Sequence, residues 1–192
     1  MPHEVDGKVS RRSVIVAATI VPVTAITASG QGAASVFSPS QVRMLEAFVD
    51  RLIPKDDNGP GAVECGVVSY IDRSLASPLA EEKASFIEGL VGVDALARGA
   101  HGGPFAELAP DKRDEVLRAI ESGPLRAFFN RVVRLTREGM FSDPYYGGNR
   151  GFAGWDLIRY PGPRMAVSPE EQKIRAPIKA VRASVYGGRR GN

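Results

Sequence analysis

Cysteine and histidine are nearly missing from this chain of 192 residues: one cysteine, Cys65, and two histidines, His3 and His101. A single thiol excludes an internal disulfide, a CxxCH haem attachment and any zinc or iron–sulfur cluster built on cysteines. A histidine-based metal site or a Ser–His–Asp triad would run through His101 alone. His101 lies in the glycine-rich stretch ARGAHGGP, which reads as a surface connector. Neither sign of charge is in excess. The 25 basic and 22 acidic residues leave +3, too little for the electrostatic footprint of a nucleic-acid binder. The apolar run from Ser13 to Ile26 falls short of the roughly 20 residues that a helix needs to span a bilayer.

That run has a different use. Lys8, Arg11 and Arg12 precede it and the small residues Ala28, Ser29 and Gly30 follow, so residues 1–30 read as an export signal. Ser10-Arg11-Arg12-Ser13-Val14-Ile15 resembles a twin-arginine translocation signal, which carries proteins across already folded. Val14 stands where that signal usually has Phe, and its usual Lys is absent. The expectation is export to the periplasm by the twin-arginine machinery, read from Arg11 and Arg12, with an ordinary secretory signal as the alternative.

The remaining chain is long enough to bury a core without staples. Ser38-Pro39-Ser40-Gln41 supplies an N-cap, a proline at the first helical position and a capping-box Gln. Val42, Leu45, Phe48, Val49, Leu52 and Ile53 then share one face, and Pro54 ends the helix. PKDDNGPG, residues 54–61, reads as a turn, because its adjacent acidic residues lack the alternation of an EF-hand. Helical spacing predicts a second helix from Ala62 to Ala76 and a third capped by Ser77-Pro78 and fading at Gly99 to Gly103. A fourth is expected from Pro110 to Ser122 and a fifth from Leu125 to Gly139. No sustained strand alternation occurs, so the expected fold is all-α, a compact helical bundle after an N-terminal export signal. The bundle is expected over residues 36–167. Residues 168–192 are expected to form a short helix, begun by Ser168-Pro169-Glu170-Glu171, and a basic tail. With six basic and two acidic residues, that tail reads as a solvated end rather than a docking arm.

The densest signal is EGMFSDPYYGGNRGFAGWDLIRYPG, Glu138 to Gly162. It holds six of the fourteen aromatics and six glycines. Disordered linkers share the glycine but not the aromatics, so a long ordered loop is expected, and such loops often carry function. Phe152 and Trp155 are expected to help close the core, and Tyr145 and Tyr146 to make contacts. The candidate partner interface is Phe141, Asp143, Tyr145, Tyr146, Gly147, Gly148, Asn149 and Trp155, with Arg137, Arg150 and Arg159 nearby. The glycines of GGNRGFAG follow a helix and no strand, which argues against a dinucleotide site. No catalytic, cofactor-binding or metal-binding residue is expected in this chain.

LIPKDDNGPGAVECGVVSYIDRSL (Leu52 to Leu75) and REGMFSDPYYGGNRGFAGWDLIRYPG (Arg137 to Gly162) together resemble the small subunit, subunit 3, of gluconate 2-dehydrogenase and its relatives. Cys65 stands where that family usually has a small residue such as alanine. The resemblance implies an accessory subunit of a membrane-associated, FAD-dependent sugar or sugar-acid dehydrogenase. FAD would sit in a large partner subunit, and haem in a multihaem cytochrome c subunit where one is present. It also implies that the small subunit's signal carries the folded flavoprotein across, to a periplasmic place peripheral to the inner membrane. An alternative from another class is a stand-alone periplasmic carbohydrate-binding module, in which Tyr145, Tyr146 and Trp155 stack on a sugar while Asp143 and Asn149 bond its hydroxyls.

Overall fold

Ser38 starts the first helix as its sequence requires. Its Oγ accepts from the Gln41 backbone N–H at 3.3 Å, and the Gln41 side chain accepts from the Ser38 N–H at 2.9 Å, so two otherwise unpaired donors are satisfied at the helix start. In this computed structural model, which describes residues 35–164, 166–173 and 179–187, helix α1 runs Pro39–Leu52. Five helices follow: α2 Val67–Ala76, α3 Lys83–His101, α4 Pro110–Ser122, α5 Arg126–Phe141 and the short α6 Ala153–Leu157. Single 3₁₀ turns stand at Ala80–Glu82, Phe105–Glu107, Pro144–Tyr146 and Arg150–Phe152. Among the described residues there is no strand, and no helix is long and apolar enough to cross a membrane. The expected export segment, with Arg11 and Arg12, lies outside the described residues.

The bundle closes on aromatic rings. Phe48 of α1 is fully buried, with ring centroids 5.9 Å from Phe105, 6.1 Å from Phe128 and 6.2 Å from Phe129. Phe128 packs edge-on against Phe86 of α3 at 5.2 Å, a geometry that the ring quadrupoles favour. Gly89 permits this. A Cβ there would collide with the Phe128 ring, so that ring rests on the backbone of α3 only because the position has no side chain. At the rim, Arg51 of α1 donates two hydrogen bonds, at 2.8 and 2.9 Å, to the carboxylate of Asp114 on α4. That pairing holds the Asp114 carboxyl below its usual range.

Several boundaries differ from expectation for physical reasons. Residues 62–66 form a closed turn, not the first turns of α2, because Gly66 takes the left-handed conformation at φ 75°. Ser77 terminates α2 instead of capping α3, whose start is the 3₁₀ turn at Ala80–Glu82. α5 continues to Phe141, two residues beyond Gly139. His101 is the last residue of α3, half-buried, with Nε2 3.5 Å from Glu115 on α4. It is therefore a helix-packing residue and not part of a surface connector. At Ser168 the expected pair of capping hydrogen bonds forms with Glu171, at 3.0 and 3.3 Å. Residues 169–172 nevertheless make only a turn.

Candidate docking loop

A helix leaves its last carbonyls without intrahelical partners, and burying them requires donors from elsewhere. At the end of α5 the glycine- and aromatic-rich loop supplies those donors. The Asn149 backbone N–H donates to the Gly139 carbonyl at 2.8 Å, and the Asn149 side-chain amide donates to the Ser142 carbonyl at 2.8 Å. Trp155 Nε1 donates to the Phe141 carbonyl at 2.9 Å. The Asn149 side-chain oxygen then accepts from the Gly154 N–H at 2.9 Å and the Trp155 N–H at 3.4 Å, donors at the start of α6. One fully buried asparagine thus joins the end of α5 to the beginning of α6. Its φ of 45° is a left-handed value that asparagine tolerates better than most residues.

Two glycines allow this seat. A Cβ at Gly148 would strike the Gly139 carbonyl, and one at Gly154 the Met140 carbonyl. The backbone of the loop therefore rests directly on the backbone of α5. Phe152 and Arg159 also hold positive φ values, 63° and 55°, which cost non-glycine residues on the order of 1 kcal/mol or more each.

The same loop reaches back to α2. The Arg150 N–H donates to the Cys65 carbonyl at 3.1 Å, and the Arg150 side chain covers Gly66. Gly139 lies against the Tyr70 ring, whose hydroxyl donates to Glu138 at 3.0 Å. Gly147, at φ 101°, faces the Arg73 side chain. The two stretches that carry the family resemblance are therefore packed against each other. Cys65 is fully buried at their junction, and that burial pushes its thiol pKa up, which makes it an inert structural side chain.

The eight expected interface residues separate into two groups. Gly148, Asn149 and Trp155 are buried, Trp155 with 4% of its surface exposed. Their contacts are internal to this subunit, which corrects the expectation that they face a partner. Phe141 is half-buried at the end of α5, on the wall of a shallow depression with Val133 and Arg137. Gly147 is half-buried as well. Tyr145 and Tyr146 do reach solvent, at 41% and 43% exposure. Asp143 sets their position, because its carboxylate accepts from the Tyr145 N–H at 2.9 Å and caps the turn that displays both rings.

Sequence reasoning missed a third ring. Tyr186, in the segment expected to be a solvated tail, lies 4.8 Å from Tyr145 and 5.5 Å from Tyr146 between ring centroids. Its hydroxyl shares a 2.8 Å hydrogen bond with that of Tyr146, which with partial burial pushes the Tyr146 phenol up to about 12. The second Asp143 oxygen accepts from the Val185 N–H at 3.0 Å. The only advance signal was an aromatic residue set among basic ones.

A sugar platform of the expected composition is not formed. Trp155 and Asn149 are interior, and both Asp143 oxygens already accept backbone hydrogen bonds. A hollow of about 700 Å³ lies elsewhere, lined by side chains such as Glu46, Asp50, Asp94 and Arg98 and by none of the loop. Among the described residues, no three His, Cys, Asp or Glu side chains gather as a metal-ligand set.

The family model described as Gluconate 2-dehydrogenase subunit 3 matches residues 39–162, from the first turn of α1 through the end of the aromatic loop. No curated protein and no solved structure matches the chain.

Proposed function

Since the chain belongs to the gluconate 2-dehydrogenase subunit 3 family, and hence to a dehydrogenase complex, we propose that it is the non-catalytic small subunit that escorts and stabilises a flavoprotein partner. The partner is a large FAD-binding subunit that oxidises a sugar, sugar acid or polyol. Electrons leave it through a multihaem cytochrome c subunit where one is present. Export is by the twin-arginine route, through Arg11 and Arg12, with the flavoprotein already folded and attached. The working place of the complex is the periplasmic side of the inner membrane.

One observation carries this reading. Within the family-matched region, two tyrosines stand in solvent on a loop whose underside is tied to α5 by hydrogen bonds. Large rings held rigidly lose little conformational freedom on binding, which is why tyrosine serves so often as an interface anchor.

The test is the double variant Tyr145→Ala, Tyr146→Ala in the native host. Central aromatic anchors cost about 2 kcal/mol or more each on truncation, whereas exposed side chains cost the isolated fold within roughly 0.5 kcal/mol. The expected outcome is loss of the flavin-containing subunit from the tagged chain with an unchanged thermal midpoint. Full retention sinks the docking role. For the escort role, Arg11→Lys with Arg12→Lys should leave both subunits in the cytoplasm, and undiminished periplasmic dehydrogenase activity would refute it.

A further inference from the structure

Large hydrophobic side chains are exposed unevenly over this molecule. Of eleven such side chains among the described residues, nine lie between Tyr145 and Tyr186, and only Val91 and Leu96 lie on the helical body. The nine come from two segments, the aromatic loop and the C-terminal stretch, which structural contacts join into one face. The Val181 N–H donates to the Pro161 carbonyl at 2.7 Å, and Arg182 forms an ion pair with Asp156. Farther along, Val185 bonds to Asp143, and Tyr186 to Tyr146. Residues 181–186 therefore cross the loop from Pro161 to Tyr145 as a strap. Even with the strap in place, Ile158, Val185 and Tyr186 are each more than half exposed, at 53%, 55% and 55%. Exposed apolar side chains concentrated in this way mark interaction surfaces.

Charge divides along the same line. Within the described loop and strap, residues 143–164 and 179–187, there are five basic and two acidic residues, whereas the sequence before Asp143 has sixteen basic and eighteen acidic. The loop's cations are not consumed internally: among the described residues, neither Arg150 nor Arg159 joins an ion pair. A basic face with apolar side chains fits an acidic counterpart, because complementary potentials guide encounter and reject like-charged surfaces.

We infer that the C-terminal strap and the aromatic loop form one composite docking face, occupied by an acidic surface of the dehydrogenase's flavin-containing subunit. This rests on the docking role proposed above and extends it to a segment outside the family-matched residues 39–162.

The experiment compares three tagged forms in the native host: the double loop variant Tyr145→Ala, Tyr146→Ala; a chain ending at Ile178; and full-length Arg182→Ala with Tyr186→Ala. The last removes the strap's two side-chain ties, to Asp156 and Tyr146, without shortening the chain, and decides the matter if the truncated form does not fold. Both strap variants should hold the flavin-containing subunit roughly tenfold or more weakly, with the thermal midpoint of the small subunit unchanged. Wild-type retention should fall as salt rises. Carbodiimide, which joins amines to carboxylates, should link Lys179 to an Asp or Glu of the flavoprotein.

If the loop variant releases the flavoprotein and both strap variants keep it, the composite face is wrong and loop docking stands. If all three keep it, both readings fail. Salt-insensitive retention without a Lys179 cross-link overturns the acidic occupant. Binding of the wild type to phosphatidylglycerol vesicles, lost in both strap variants while the flavoprotein is retained, would assign the face to a membrane instead.

Discussion

Trp155 keeps 4% of its surface in solvent and Tyr146 keeps 43%, although both belong to one glycine-rich loop. The underside of that loop, Gly148, Asn149, Gly154 and Trp155, works as an extended cap for α5, and its polar atoms are used within the chain. The upper side, Tyr145 and Tyr146 with Tyr186, holds its rings together mainly by mutual contact. The difference separates two uses of aromatic residues that composition alone merges. A ring whose N–H caps a helix belongs to the fold. A ring held only by other exposed rings is available for binding. Accounting for every buried backbone group distinguishes the two.

The underside should therefore be the costly place to alter. Trp155→Ala removes a buried ring and leaves the Phe141 carbonyl without its donor, so a loss of about 3–5 kcal/mol is expected. Asn149→Ala strips partners from the Ser142 carbonyl and two N–H groups while leaving the backbone in a left-handed conformation. About 3 kcal/mol is expected there. Gly154→Ala pushes a methyl group into the Met140 carbonyl, and about 1–3 kcal/mol should follow as the loop lifts. Urea unfolding of the three variants checks the order. If Trp155→Ala is no more harmful than Tyr145→Ala, the distinction between the two sides collapses.

Legibility from sequence followed the range of the forces involved. α1 and α4 were readable because their determinants are local: a Ser38–Gln41 capping box in one, Pro110 in the first turn of the other. The start of α2 was not, because Gly66 is held left-handed beneath Arg150, which comes from a distant part of the chain. Ser77-Pro78 has the composition of a cap, but the chain needs that dipeptide to leave α2 before α3 can begin. The aromatic loop was recognisable from its residue types, whereas its inner and outer members were not. Asn149 looked like a ligand-binding amide and is instead the joint between α5 and α6. The strap was hidden for a similar reason. Tyr186 finds its partner forty residues earlier in the chain, and local composition holds no trace of that pairing.

The smallest expected effect lies on the upper side and tests whether the strap is seated there. Tyr146 ordinarily would titrate near 10.0, and its hydrogen bond to Tyr186 raises it to about 12. Because the seated form favours the protonated phenol, the contribution of this contact is complete below pH 10, where an unseated tyrosine also holds its proton. The contribution declines above that pH and is lost as the pH rises through 12. Both rings are well exposed, so water screens the interaction and its effect on global stability should be slight. Ultraviolet titration of tyrosinate detects it without requiring a stability change. Besides Tyr70, whose phenol is also pushed up by burial and by its bond to Glu138, the wild type should contain one phenol that ionises late, that of Tyr146, near 12. In Tyr186→Phe, which keeps the ring but removes the hydroxyl, that phenol should return toward 10, while Trp155→Phe should leave the strap contact in place. If Tyr146 shows no late ionisation in the wild type, so that Tyr186→Phe removes only its own phenol from the curve, the strap is not seated on the loop in solution. The upper side would then consist of Tyr145 and Tyr146 alone.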